Sequence, residues 1–481
     1  MTQTLRIAQP DFSRLTRHLF PGDHDEHGAV ILAGNTDTSR GTRFITREVV
    51  LARDGVDYVP GTRGYRALTT DFIARVSDRC ARENLCYFAI HCHGGADSVG
   101  FSPDDLASHK RGYPALLDIT NGGPVGALVF ANNAAAGEIW RRSGVTPLDE
   151  VTVVGPNIRH LYPSPPSVTS LVSPIYHRQS MLFGDRGQAA LLGAKVGIIG
   201  LGGIGALVSQ WLAHLGVGHI VAVDFDRLES TNRPRIVGAT PWDAGEPFVH
   251  SHFGWVRFIG QRLAKFKVHV AARVARQANP PVRFEPIVGD ITDAETALML
   301  RDVDYLFLCA DGMRPRLVFN ALVHQYLIPG VQVGSKVPVE KGTGTVGDVF
   351  VAARRVLPYA GGGCLGCNKL IPPERLQEES LTPEERRRQR YVDDAAVTVP
   401  SVITLNALAA AQAANDFLFG FQGLVLDHAA AGYLQGYPRE RKWVPVEVSA
   451  DNDCLHCGRS KRSAYGRGDR WTLPCRTRAE G

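Results

Sequence analysis

A glycine-rich run near the middle of this chain constrains its fold most. Lys195-Val196-Gly197-Ile198-Ile199 leads into Gly200-Leu201-Gly202-Gly203-Ile204-Gly205, and a second apolar run, His219-Ile220-Val221-Ala222-Val223, ends at Asp224. This pattern predicts a strand, a tight turn, a helix and a second strand. Glycines in such a turn let the backbone approach phosphates at a helix N-terminus, where unpaired N–H groups favour negative charge. A carboxylate closing the second strand, Asp224, suits ribose hydroxyls. Val196–Val223 is also the longest uncharged stretch. Its seven glycines, with Ser209, Gln210, His214 and His219, mark a buried strand–turn–helix–strand and not a membrane helix.

At 481 residues the chain is too long for one core and predicts two or three domains. With 44% hydrophobic and 21% charged residues it is no disordered chain, collagen-like fibre or small disulfide scaffold. The first residues are broken by charges and show no signal-peptide core, so a cytoplasmic protein with no membrane partner is expected. Expected boundaries are a first domain over residues 1–155, a Pro/Ser-rich linker over 156–175, a second domain over 176–457 and a basic tail over 458–481. The tail carries the whole net charge of +5. It reads as a solvated tail, and a nucleic-acid partner is not expected. Gly28–Gly34, Cys86–His93 and Gly126–Ala131 read as strands, Asp105–Lys110 and Ala407–Phe417 as helices, and Pro372–Arg390 as an exposed loop or helix.

A glycine turn alone does not separate NAD from ATP binding. Downstream stand Asp226, Asn232, Arg235, Lys267, Asn279-Pro280 and, after a further strand, Asp311. Cationic side chains near phosphates suit adenylyl transfer, and a carboxylate suits Mg²⁺ held with phosphate oxygens. Hydride transfer needs none of this set. Together with Tyr176-His177-Arg178-Gln179, the pattern from about Tyr176 to Cys457 resembles the ThiF/MoeB family, to which the adenylation domains of ubiquitin-activating enzymes belong. The resemblance implies ATP as substrate. It implies the phosphate turn at Gly200, Gly202, Gly203 and Gly205, ribose at Asp224 with Asp226 beside it, triphosphate at Asn232, Arg235 and Lys267, and Mg²⁺ at Asp311. It also implies Arg178 reaching the neighbouring subunit of a homodimer. The segment between Arg235 and Lys267, with Trp242, His250, His252 and Trp255, is an insertion that reads as a surface loop.

In the first domain, His91-Cys92-His93 ends an apolar run. Strand alternation puts both imidazoles on one face and Cys92 into the core. Ser102 and Asp105 follow. Two His and one carboxylate suit zinc with a position left for water, and Glu26 is the best placed carboxylate for moving protons, ahead of Asp25 and Glu48. The pattern E…H-x-H-x(8)-S-x-x-D resembles the JAB/MPN (JAMM) metalloprotease signature. That resemblance implies catalytic zinc on His91, His93 and Asp105, water activation by Glu26, and oxyanion donation by Ser102.

Cys364-x-x-Cys367 and Cys454-x-x-Cys457 supply four thiolates for a closed structural zinc site, with a redox dithiol as the competitor. Cys80, Cys86 and Cys309 read as core. No Cys occurs between Asn368 and Asp453, where ThiF-like proteins carry their thioester residue. The readings are an adenylate intercepted by another protein, a thiol from a partner, or Cys475 as a flexible acceptor whose basic neighbours favour thiolate. The expected fold is α/β throughout, a JAMM-type domain followed by a Rossmann-like ThiF domain with a Cys₄ zinc clip. The expected activity is adenylation of a ubiquitin-like protein's C-terminal Gly, joined to zinc-dependent processing or deconjugation of that protein in a bacterial cytoplasm. The alternatives are sulfur-carrier activation and peptide adenylation in antibiotic biosynthesis.

Overall fold

The apolar runs form two sheets in the computed structural model. It describes all residues except 24, 62–63, 65, 167–172, 250, 341–342, 359–361, 381–399, 428–431 and 477–481. The first sheet takes β1 (Thr2–Ala8), β2 (Ala29–Thr38), β3 (Gly41–Leu51), β4 (Cys86–Cys92), β5 (Val125–Phe130), β6 (Ala135–Arg141), β7 (Gly144–Leu148), β8 (Glu150–Val154) and β9 (Arg159–Leu161). Their order is β7-β6-β5-β4-β2-β3-β1-β8-β9. Both faces are covered. Helix α1 (Gln9–Leu19) puts Phe12, Leu15 and Leu19 on one face with Phe88 and Phe130. Helices α2 (Thr70–Glu83) and α3 (Pro103–Ile119) cover the other with Phe72, Val76, Tyr113 and Leu117.

The second sheet takes β10 (Lys195–Ile199), β11 (His219–Val223), β12 (Arg283–Ile287), β13 (Tyr305–Leu308), β14 (Gly330–Lys336), β15 (Phe350–Val356), β16 (Tyr433–Tyr437) and β17 (Lys442–Pro445). It runs β12-β11-β10-β13-β14-β15-β16-β17. Its first five strands are parallel and the rest antiparallel. Parallel strands need helical crossovers that bury both faces, hence the unbroken apolar runs of β10 and β13. Helix α4 (His177–Gly193) precedes this sheet, and α5 (Gly203–Leu215) follows the glycine turn. The helix Ile403–Phe421 packs on α5 and β14 and extends the expected Ala407–Phe417 at both ends.

Three arginines from the first sheet converge on one carboxylate of the second. Asp304 receives Arg6 at 3.1 Å, Arg40 at 3.1 Å and Arg43 at 3.0 Å. Burial raises the Asp304 carboxyl, but the guanidiniums outweigh it and hold it at about 2. A cavity of about 910 Å³ lies at this seam, lined in part by Arg6, Arg40, Arg43, Glu150 and His160.

Two boundary expectations fail. Residues 159–161 of the expected linker are β9, paired with β8, and Ile158 N donates to Gly420 O at 2.8 Å. The apolar Ile158 and Leu161 are buried, which a solvated linker would not allow; residues 167–172 of that linker lie outside the described set. The expected solvated tail is folded through Arg476, and residues 477–481 lie outside the described set. Tyr465 is fully buried, and Arg467 is 7% exposed. This strap ties the two sheets together. Arg47 donates to Ser463 Oγ and to the carbonyls of Tyr465 and Ser460, while Asp469 accepts from Thr36 and from Tyr326. Gly466 and Gly468, both at positive φ, lie so close to the backbones of Thr46 and Asn35 that no side chain fits. Among the described residues no helix is long and apolar enough to cross a membrane.

Candidate active sites

The glycine turn closes as its sequence requires. Gly200 has φ +88° and sits against Ala310, and Gly202 is the N-cap of α5. A Cβ on Gly205 would strike Gly200 O, and one on Gly203 would strike the Asn406 amide. The α5 N-terminus is left bare of side chains, as phosphate approach demands. Asp224 accepts from Leu201 N at 2.6 Å and from Asp226 N at 2.8 Å. Burial raises its carboxyl, against the pull of Lys267 and the two amides. Lys267 opens a helix over 267–278 and pairs with Asp226 at 2.6 Å. Asn232 and Arg235 lie on a 3-10 turn, Ser230–Arg235, whose Arg235 carbonyl faces Gly203. Asp311 follows β13 directly after Ala310, the residue packed on Gly200.

The turn thus gathers Asp224, Asp226, Lys267 and the Asp311 loop, while the Arg235 guanidinium donates to Thr231 O at 2.8 Å. Arg178 is exposed at the start of α4. Among the described contacts none joins it to the turn of its own chain. Sequence reading missed Asn406, which is 2% exposed, accepts from Ser335 Oγ at 2.9 Å and donates to Ser401 Oγ at 3.1 Å. A buried amide opening an otherwise apolar, Ala-rich helix was the available signal. The insertion, expected as a surface loop, instead holds two helices, Glu246–Val249 and Gly254–Leu263; His250 lies outside the described residues.

In the first domain, β4 ends at the paired histidines. His91 Nε2 and His93 Nε2 are 3.2 Å apart, and each lies 3.4 Å from Asp105 Oδ2. Bonds of about 2.0–2.1 Å to a tetrahedral zinc separate ligand atoms by about 3.3 Å, so the donor set fits the ion. His93 Nδ1 is 3.0 Å from Gly100 O, a contact that fixes the ring. Glu26 Oε1 lies 3.7 Å from His93 Nε2. The competitors are occupied elsewhere: Asp25 accepts from Gly64 N, and Glu48 pairs with Arg79. Burial raises the Glu26 carboxyl. Burial also pushes the Asp105 carboxyl up, but the His91 and Ser102 contacts outweigh it and hold it well below the usual range. Cys92 faces the core and donates to Leu19 O.

Ser102 departs from expectation. It is the N-cap of α3. Its hydroxyl donates to Asp105 Oδ2 at 2.8 Å and accepts from Asp105 N at 3.1 Å. S-x-x-D is therefore a capping box here, and Ser102 aims the Asp105 carboxylate at the two histidines while its own proton is engaged.

The four paired thiols also meet. Sγ–Sγ distances are 3.6 Å for Cys364–Cys367, 3.6 Å for Cys364–Cys454 and 3.5 Å for Cys367–Cys457. A tetrahedral ZnS₄ centre with bonds of about 2.3 Å has edges of about 3.8 Å, and the amides of Cys367 and His456 point at sulfur, so the set fits zinc. Cys475 does not fit a thiolate role. It packs against the core below the second sheet, and burial pushes its thiol up to about 11. Cys80 and Cys86 are buried, as expected, and burial raises the half-buried Cys309 strongly.

Comparison with known proteins agrees with the second half of this geometry. A model of the ThiF family matches residues 176–455, more than half of the chain. The chain belongs to the ThiF family. The molybdopterin-synthase adenylyltransferase of Escherichia coli is 31% identical over 148 residues, 30% of this chain and 52% of that protein. The sulfur carrier protein adenylyltransferase of Thermus thermophilus is 33% identical over 147 residues, 30% of this chain and 47% of that protein. The chain thus spans about half the length of these relatives. A crystal structure of Escherichia coli MccB aligns at 21% identity with a TM-score of 0.45, over 60% of this chain and 75% of that one. The ThiF match begins at Tyr176 and leaves the histidine cluster outside it.

Proposed function

We propose that the ThiF half uses ATP to adenylate the C-terminal carboxylate of a small carrier protein, of the sulfur-carrier or ubiquitin-like class. The observation that carries this reading is the convergence of Asp224, Lys267 and the Asp311 loop on one bare glycine turn. A carboxylate oxygen of the carrier attacks the α-phosphorus. The bond from that phosphorus to the bridging oxygen breaks, leaving acyl-adenylate and pyrophosphate. The α5 amides, Asn232, Arg235 and Lys267 hold the triphosphate charge as it develops. Asp224 orients the ribose. Asp311 would hold Mg²⁺, which neutralises phosphate charge. Lys267 must exchange Asp226 for phosphate, so Asp226 keeps its ammonium in place before ATP arrives. Arg178 serves the site of a second copy, which makes the working unit a homodimer.

The name of the Thermus thermophilus relative favours a sulfur carrier over a conjugated modifier. The Cys-free stretch between Asn368 and Asp453 supports an adenylate passed on without a thioester on that loop. Adenylation of a short peptide is the alternative. Pyrophosphate exchange dependent on a Gly-ended carrier protein is the test, with Lys267→Ala and Arg235→Ala as controls. Exchange that survives both substitutions refutes the site, and exchange driven by a short peptide alone favours the alternative.

The histidine cluster supports a second activity, hydrolysis of a peptide or isopeptide bond beside the same C-terminus, in a JAMM-type first domain whose sheet runs to Leu161. Zinc held by His91, His93 and Asp105 would supply a water acidified toward neutrality. Glu26 would be the proton-moving group of this site, accepting a proton from the attacking water and passing it to the leaving amine. Ser102 positions Asp105. His91→Ala should lower zinc content by one equivalent per chain in elemental analysis while the Cys₄ equivalent remains. Glu26→Ala should keep both equivalents and lose cleavage of a tail-extended carrier. Full zinc content in His91→Ala removes this reading.

A further inference from the structure

The insertion between Arg235 and Lys267 exposes an unusual amount of apolar surface. Trp242 is 70% exposed, Phe253 66%, Trp255 67%, Phe258 53%, Ile259 43% and Leu263 59%. An insertion without a task would not keep six large apolar side chains in water next to a substrate site. Its underside is firmly built. Asp243, 1% exposed, pairs with Lys265 at 3.0 Å and Arg273 at 2.7 Å and accepts from Thr240 Oγ1 at 2.7 Å. Gly260 packs on Phe248, and Arg227 stacks on Phe266 at 4.0 Å. The outer face is thus held on a fixed base, and only three residues separate Leu263 from Lys267.

Charge limits what can cover this face. The outer helix Gly254–Leu263 carries Arg257 and Arg262 and no Asp or Glu, while Lys265 and Arg273 are paired with Asp243 and Lys267 with Asp226. Pairing this face with itself would bring like charges together, which argues against a second copy of the chain. Helical periodicity orders the exposed side chains around the helix as Phe258, Arg262, Trp255, Ile259 and Leu263. Arg262 therefore stands inside the apolar arc, its guanidinium 4.6 Å from the Phe258 ring. A helix lying in a lipid interface keeps its cations on the opposite, polar face. An arginine set among Trp and Phe on a helix that carries no acidic residue is the composition of a protein-binding hot spot.

We infer that this face docks the body of the carrier protein, through an apolar patch on the carrier rimmed by carboxylates, and so delivers the carrier's tail to the phosphates at Lys267. The inference rests on the adenylation reading and adds the surface that recognises the substrate. No residue of the face belongs to the nucleotide site.

The test is pyrophosphate exchange by the full chain with the sulfur carrier protein of Thermus thermophilus, the substrate in that relative's name. Trp255→Ala with Phe258→Ala, and separately Arg262→Glu, alter exposed side chains only. The expected result is a KM for the carrier raised about tenfold or more, with kcat at saturating carrier within about twofold of wild type. Sedimentation and phosphatidylglycerol-vesicle binding should be unchanged by either variant. Exchange with an unchanged KM overturns the docking assignment and leaves the adenylation reading standing. Variants that change the oligomeric state, or that lose vesicle binding shown by the wild type, give the face to a second copy or to lipid and also overturn it. Wild-type protein that shows no carrier-dependent exchange fails the adenylation reading, and the docking assignment with it.

Discussion

Single atoms decide several roles in this molecule. The Gly205 hydrogen is the clearest, because a Cβ there would strike Gly200 O. Gly205→Ala should cost about 1–3 kcal/mol in thermal unfolding and weaken ATP binding in calorimetry. Native-like stability and affinity would mean that the turn can widen. Cys475 is decided by desolvation. Its raised value, about 11, keeps it a neutral thiol across the working range. At pH 8 iodoacetamide should label it about a hundredfold more slowly than an ordinary exposed thiol, and Cys475→Ser should turn over normally. Mass spectrometry of the labelled peptide measures the first, and rapid labelling would reopen a thioester at this position.

At the scale of elements, the seam between the sheets rests on Asp304. Removing its charge leaves Arg6, Arg40 and Arg43 without their shared anion, so Asp304→Asn should destabilise the protein by about 3–5 kcal/mol. The pH dependence has a definite sign. The Asp304 carboxyl falls from 3.8 to about 2 on folding, so its contribution is present above the unfolded value and is lost as the pH falls through about 2. Wild-type unfolding should steepen across that window, and Asp304→Asn should be flatter there.

The sequence made the local features legible. The glycine turn, the H-x-H on one strand face and the two C-x-x-C pairs each follow from a short period or a fixed spacing. Non-local pairing stayed hidden. Nothing local in Thr2–Ala8 says that β1 runs between β3 and β8, because a parallel neighbour leaves no turn signature. In the sequence S-x-x-D reads for catalysis alone, and the same spacing also makes a helix cap, which only the Ser102–Asp105 contacts reveal. The basic terminal segment misled because burial of arginine is decided by carbonyl acceptors far away in the chain. Arg467 finds the carbonyls of Ser463 and Lys461, and its glycine neighbours find β2 and β3.

For the whole molecule, the Cys₄ cluster and the strap act in series. Cys454 and Cys457 anchor the point from which residues 458–476 run across to the first sheet, and Asn35 bridges Gly468. Cys454→Ser, or a strong chelator competing for a metal that the four thiols would hold, should therefore raise hydrogen exchange in β2 and β3, far from the thiols, as well as near them. Protection unchanged in those strands would show the strap to hold independently of the metal. The strap also dictates when the molecule can be finished. β1 to β3 leave the ribosome more than four hundred residues before Gly466 and Gly468 arrive to lie on them. The first half must wait through the synthesis of the second with that edge open, so a stalled or prematurely stopped chain carries a vacant groove that quality-control machinery can recognise.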